Sequence, residues 1–201
     1  METAKRKQFQ LFQTPLDLAH AYWKKLLKIG DIVIDATCGN GHDTVFLANL
    51  ILDDTRKGYL IAMDIQEQAI ENTRDRLHAK FSPDLHGIEF VQQCHSSFSP
   101  HLKNESVTLI VYNLGYLPGA DKNLTTFGPT TLKSLTTSLP LIAPGGAISI
   151  TCYPGHDAGK VEAETALTFA ASLDPIQWSS CHHQWANRKN APSLILIQRA
   201  L

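Results

Sequence analysis

Two aspartates that close apolar runs have the spacing of a ligand site. Asp35 ends Ile32-Val33-Ile34, and Asp64 ends the run Gly58 to Met63. After the first comes the turn Ala36-Thr37-Cys38-Gly39-Asn40-Gly41, whose glycines allow close backbone approach. The helix that follows would start with free N–H groups facing a polar ligand. The pattern D-x-x-x-G-x-G departs from the dinucleotide fingerprint G-x-G-x-x-G, because an acid comes first and Cys38 and His42 do not fit. An acid ending the first strand repels a pyrophosphate and suits a cationic or amino-bearing ligand. An acid ending the second strand can accept both hydroxyls of an adenosine ribose. Together they point to S-adenosylmethionine rather than NAD, against the blander alternative of a tight turn that binds nothing. The expected cofactor shell is Asp35, Thr37, Cys38, Gly39, Asn40, Gly41, Asp43, Asp64 and Ile65. After the third strand the usual acid is absent, so His95, unless it is merely structural, or backbone groups would serve, and Asn113 closes the shell.

A second group of residues suits an acceptor. Asn113-Leu114-Gly115-Tyr116-Leu117-Pro118-Gly119 follows an apolar run and is stiffened by glycine and proline. Asn113 can take a hydrogen bond from an amine through its side-chain oxygen, and Tyr116 can stack on a base. His156 and Asp157, after a later run, could accept a proton. Methyl transfer from a sulfonium is an in-line displacement, so holding the two reactants in line is the chief task and no strong base is obligatory. Asn113 and Tyr116 therefore rank above His156 as catalytic residues. Asp121, Lys122, Arg188 and Lys189 are substrate-loop candidates.

These residues must be carried by alternating strands and helices. Thr14-Pro15 opens a helix expected to run to Lys28, with Leu18, Tyr22, Leu26 and Ile29 inward and Lys24, Lys25 and Lys28 outward. The strand ending at Asp35 leads into a helix from Thr44. Glu67 to Lys80 is amphipathic with Ile70, Thr73 and Leu77 inward, and its charges need no role beyond solubility and pairing. Strands are expected at Gly87–Gln92, Val107–Tyr112 and Ala147–Thr151, the last entered by the turn Pro144-Gly145-Gly146. A helix over Thr130–Pro140 separates the last two. A further helix, Ala158–Leu173, should face inward with Ala163, Leu167 and Ala170. Runs at Ile176–Gln184 and Leu194–Arg199 close the chain as a hairpin, with His182 and His183 on opposite faces and unable to share a metal. The fold class is α/β, Rossmann-like: a mostly parallel sheet with helices on both faces and a C-terminal antiparallel hairpin.

With 201 residues the chain fits one domain, 1–201, preceded by an N-terminal arm at 1–13. Its four cysteines lie far apart without a C-x-x-C pair, as in a reduced cytoplasmic protein that holds no metal. No run could serve as a signal peptide or span a membrane. The net charge of −1 excludes a general polyanion binder. RNA contact would rest on local groups, chiefly Lys5, Arg6, Lys7, Lys24, Lys25 and Lys28, which as easily form a merely solvated face.

Four segments, DATCGNGHDT, NLGYLPGADK, YPGHDAGK and NRKNAP, occur in this order and resemble the signature segments of the rRNA methylase family. Its characterised members are tRNA 5-(aminomethyl)-2-thiouridine methyltransferases. The resemblance runs from about Thr14 to Arg199. It implies a seven-stranded class I fold, S-adenosylmethionine as methyl donor, and methylation of the aminomethyl group on a wobble uridine. The implied partner is tRNA through its anticodon region, without membrane or metal and with a homodimer left open. Two positions depart from the family pattern: Cys38 replaces a smaller residue, and Ala120 replaces a glycine beside Asp121. Other readings are a methyltransferase on rRNA or a small amine, since Asn113-Leu114-Gly115-Tyr116 echoes an N-P-P-Y loop, a non-catalytic S-adenosylmethionine-binding module, and a dinucleotide oxidoreductase.

Overall fold

The computed structural model describes residues 11–53, 57–81, 86–115 and 128–201. Helix α1 (Pro15–Leu26) is capped by Thr14, whose hydroxyl accepts from the Asp17 N–H. Strand β1 (Ile32–Asp35) then leads through the glycine turn into α2 (His42–Ile51). Next come β2 (Tyr59–Asp64), α3 (Glu67–Lys80), β3 (Ile88–Gln92) and β4 (Val107–Leu114). Helix α4 (Gly128–Ser138), β5 (Ile142–Cys152), α5 (Asp157–Ala171), β6 (Trp178–His183) and β7 (Ser193–Arg199) complete the order.

The seven strands form one sheet in the order β3-β2-β1-β4-β5-β7-β6. The first five run parallel, and β7 is antiparallel to both β5 and β6. The strand order reverses between β1 and β4, which opens the crevice where ligands bind in open α/β sheets. Alternate strand residues feed two cores, as the two-residue repeat requires. Val33, Leu60, Leu109 and Val111 pack with Ala19, Trp23, Leu47 and Leu77 of α1, α2 and α3. Ile34, Ile61, Ile110 and Ile148 pack with Leu135, Ala166 and Phe169 of α4 and α5. Because β6 runs parallel to β5, its exit loop lies on the same sheet edge as the exits of β1, β2, β4 and β5.

Several expectations about faces and boundaries need correction. In α1 the buried stripe is Ala19 and Trp23, continued by Leu27, while Tyr22 and Ile29 are exposed. The small Ala19 side chain lets the helix approach the sheet, and Trp23 then buries the largest apolar surface available. The helix ends two residues before Lys28, so Ile29 is not on it. In α5 the buried stripe is Gly159, Glu162, Ala166, Phe169 and Ala170; Ala170 is buried and Ala163 packs against the core as expected, but Leu167 faces outward. Pro144-Gly145-Gly146 does not precede β5 but lies within it, where the register against β4 shifts between Val107 and Leu109. Gly145 has φ 77, and a side chain on Gly146 would meet the Thr108 carbonyl at 2.9 Å, so only glycines fit this irregularity. Asn113 belongs to β4 itself rather than to the loop after it.

Candidate active site

The turn between β1 and α2 is held from several sides. Asp35 is fully buried, and its carboxylate accepts from the Thr44 hydroxyl at 2.6 Å and from the Thr37 N–H at 3.3 Å. Burial raises its pKa to about 7, opposed mainly by the Thr44 hydrogen bond. The Thr37 hydroxyl accepts from the backbone N–H of Asn113 at 2.7 Å and so ties the exits of β1 and β4 together. Cys38 is buried with its thiol pKa raised by desolvation, and its N–H donates to the Met63 carbonyl. Gly41 caps α2 at φ 76 without a side-chain cap, and a Cβ there would lie 2.8 Å from the Thr73 backbone.

Helix α3 grips this turn from outside. Thr73 donates to the Gly39 carbonyl at 3.1 Å, Asn72 to the Asn40 side chain at 2.9 Å, and Arg76 to the Asn40 carbonyl at 2.7 Å. Arg76 therefore does more than keep the helix soluble, and Asn40 faces α3. Asp64 sits opposite, partly exposed, accepting the Gly39 N–H on one oxygen and the Gln66 N–H on the other, each at 3.0 Å. The carboxylate only accepts, and its remaining lone-pair capacity is the acceptor that a ribose hydroxyl requires. Burial raises the Asp64 pKa, and the backbone N–H groups of Gln66, Gly39 and Ile65 oppose the rise. Ile65, next to it, is 64% exposed, an apolar surface open at the sheet edge. The residues fit an adenosyl ligand at Asp64, Ile65 and the Gly39 turn.

At the exit of β4, Asn113 donates its amide NH2 to one carboxylate oxygen of Asp43 at 2.8 Å. The other oxygen of Asp43 receives the Nε2 proton of His20 at 2.7 Å. A carboxylate only accepts, so the Asn113 amide has one orientation, with Oδ1 turned away from Asp43. That oxygen is buried and has no hydrogen-bond partner among the described residues. Thr151, the register partner of Asn113 on β5, likewise buries an unpaired hydroxyl. Tyr153 lies beside Gly115, its pKa raised by burial first and by the charge of Asp43 second. Neither His20 nor Tyr153 was singled out from the sequence; an aromatic after a strand-end Cys152 was the one available signal.

Other expected site residues are placed as follows. His95 is buried edge-on to Tyr112, its pKa lowered to about 4 by desolvation, so the ring is neutral. His156 caps α5, its Nδ1 accepting from the Gly159 N–H at 3.1 Å, which engages that lone pair. Asp157 is solvated beside Lys160. Arg188 lies over the Trp185 ring at 3.9 Å, with Phe12 edge-on to that ring, and Lys189 is exposed. Tyr116, Asp121 and Lys122 fall outside the described residues. Among the described residues no cluster of His, Cys, Asp and Glu is arranged to hold a metal, and no helix is long and apolar enough to cross a membrane.

Known proteins agree on this architecture. The family model described as "Putative rRNA methylase" matches residues 60–199. A protein of Arabidopsis thaliana named "tRNA (mnm(5)s(2)U34)-methyltransferase, chloroplastic" is 38% identical over 185 residues, 90% of this chain and 68% of the relative. A crystal structure of a "putative rRNA-methylase" from Clostridium thermocellum superposes with a TM-score of 0.86 at 32% identity, covering 94% of this chain and 98% of that one. A "putative methyltransferase" from Streptococcus mutans, solved in complex with SAH, gives a TM-score of 0.81 at 29% identity, covering 94% and 99%.

Proposed function

The chain belongs to the rRNA methylase family, and on that premise we propose that it methylates the amino nitrogen of a 5-aminomethyl-2-thiouridine at the wobble position of tRNA. The methyl donor is S-adenosylmethionine, which when bound supplies an electrophilic methyl group on a sulfonium. Asp64 accepts the ribose hydroxyls, Ile65 packs against the adenine, and the Gly39–Gly41 turn admits the remainder. Asp35 acts from beneath, by fixing Thr37 and Thr44, and Thr37 locks the cofactor turn to β4.

The observation that carries the acceptor reading is the Asn113 amide. Its NH2 is taken by Asp43, so its buried Oδ1 is left to accept from an incoming amine N–H. That contact leaves the nitrogen lone pair free to aim at the methyl carbon. With the cofactor bound, the N–C bond would form as the C–S bond breaks and S-adenosylhomocysteine leaves, the ammonium having first released one proton to water. A primary alkylamine in this desolvated crevice, beside a sulfonium, is biased toward the neutral form that can attack. Asn113 thus orients rather than deprotonates. Tyr116 packs on the uracil or its neighbour, with Asp121, Lys122, Arg188 and Lys189 around the anticodon loop. The Arg188–Trp185 stack at the same sheet edge supports that side as the RNA approach, and the setting is cytoplasmic.

The test uses purified protein, labelled cofactor and two substrates: tRNA from cells lacking this enzyme, and the same tRNA transcribed without modifications. Label is expected only in the first. Label in the transcript would favour a base or rRNA acceptor instead.

A further inference from the structure

Helix α1 lies before the whole cofactor motif in the chain, yet it reaches Asp43 and the acceptor edge through the side chain of His20. His20 stacks on Phe46 of α2, ring centroids 3.9 Å apart and nearly parallel, and Trp23 flanks it at 4.9 Å. This sandwich leaves the ring little freedom to turn. Its Nε2 meets Asp43 Oδ1 at 2.7 Å, and Asp43 Oδ2 meets the Asn113 NH2 at 2.8 Å. Because Asp43 only accepts, Nε2 carries a proton in the neutral and in the charged ring alike. The chain His20–Asp43–Asn113 therefore has one polarity, which ends in the buried, unpaired Oδ1 of Asn113.

We infer that His20 is a positioning residue of the methyl transfer, acting through Asp43 to hold the Asn113 amide, and with it Oδ1, in place for the acceptor amine. The inference rests on the proposed reading of Asn113. Without the His20 proton, one Asp43 oxygen loses its anchor, and the carboxylate can rotate or recruit water. The Asn113 NH2 still points at an acceptor, but that acceptor is no longer fixed in place, so Oδ1 is presented over a wider range of positions and meets the amine N–H less often in line. The expected penalty falls on the rate of transfer and not on either affinity, since His20 touches neither ligand. That separates it from a purely structural histidine, whose loss would loosen α1 against α2 and weaken binding as well.

The experiment compares wild type, His20→Phe and His20→Gln in single-turnover transfer to aminomethyl-thiouridine tRNA, with cofactor affinity and Tm measured on each. Phenylalanine keeps the stack on Phe46 and removes the donor. Glutamine places an NH2 near the former Nε2. His20→Phe is expected to slow transfer about tenfold or more, the scale of one lost hydrogen bond to a charged group, with cofactor affinity and KM for tRNA unchanged. His20→Gln is expected to recover most of that rate. If His20→Phe does not fold, His20→Met, of similar reach and without a donor, takes its place. Wild-type transfer by the donor-less variant overturns the inference, as does a glutamine variant no faster than phenylalanine. Failure of the wild type itself to methylate this tRNA would instead refute the proposed function.

Discussion

The exits of β1 and β2 and the exits of β4 and β5 lie on one sheet edge but are built in opposite ways. Around β1 and β2 the polar groups are largely satisfied within the protein: Asp35 by Thr37 and Thr44, Asp64 by Gly39 and Gln66, the turn carbonyls by Thr73 and Arg76. Around β4 and β5, Asn113 Oδ1 and the Thr151 hydroxyl are buried without partners among the described residues. Buried polar groups are nearly always paired, and an unmade bond costs about 1–3 kcal/mol. The first region is a finished cradle that a ligand enters with little rearrangement. The second is completed only by what binds there. The contrast matches a division between a constant cofactor and an acceptor that must be held in one orientation.

Variants on each side should separate accordingly. The largest effect is expected on the acceptor side: Asn113→Ala should lower single-turnover transfer on the order of 10²-fold while cofactor affinity stays nearly intact. On the cofactor side, Asp64→Ala should weaken S-adenosylmethionine binding by about 1.5–3 kcal/mol in calorimetry, because hydrogen bonds to a charged group are lost. Unchanged affinity in a folded variant would remove Asp64 from the site. A smaller effect is expected outside both regions. Lys24, Lys25 and Lys28 are exposed on α1, and replacing all three with alanine should flatten the salt dependence of tRNA affinity by up to about one unit per lost phosphate contact. An unaltered slope would make that face a solvated one and shift attention to Arg188 and Lys189.

A separate effect concerns stability. Asp35 has a folded pKa of about 7 against an ordinary 3.8. A raised folded pKa means that its contribution is fully present below about pH 4 and is lost as pH rises through about 7. Asp35→Asn is neutral throughout, so its Tm relative to wild type should climb between about pH 4 and 7 and level off above. Parallel profiles would mean that Asp35 is charged at no cost, and the cradle would then be less sealed than its burial indicates.

The two regions also differ in how far the sequence disclosed them. The cofactor side is local: Asp35, the glycines and Asp64 each follow an apolar run, and strand-end positions are legible from period and turn chemistry alone. Asn113 was legible for the same reason. His20 was not, because its contact spans 23 positions and depends on which face of α1 turns inward. That face was misjudged in part: Leu18 and Leu26 pack against the core beside Ala19, Trp23 and Leu27, but Tyr22 and Ile29 are exposed. The pattern Leu18, Tyr22, Leu26 is as regular as Ala19, Trp23, Leu27, and only packing against β5 and β7 decides between them. The α5 stripe went astray likewise, since a buried Glu162, paired to Thr131 at 2.5 Å, reads as a surface residue. The glycines of β5 read as a turn because an irregularity inside a strand uses the same residues.

The most direct test of the central claim is nucleoside mass spectrometry of tRNA from cells lacking this gene, complemented with the wild type or with Asn113→Ala. The account predicts that 5-aminomethyl-2-thiouridine accumulates in the deletion, that its methylated form returns with the wild type, and that Asn113→Ala restores little of it. A nucleoside profile that the deletion leaves unchanged would contradict the account.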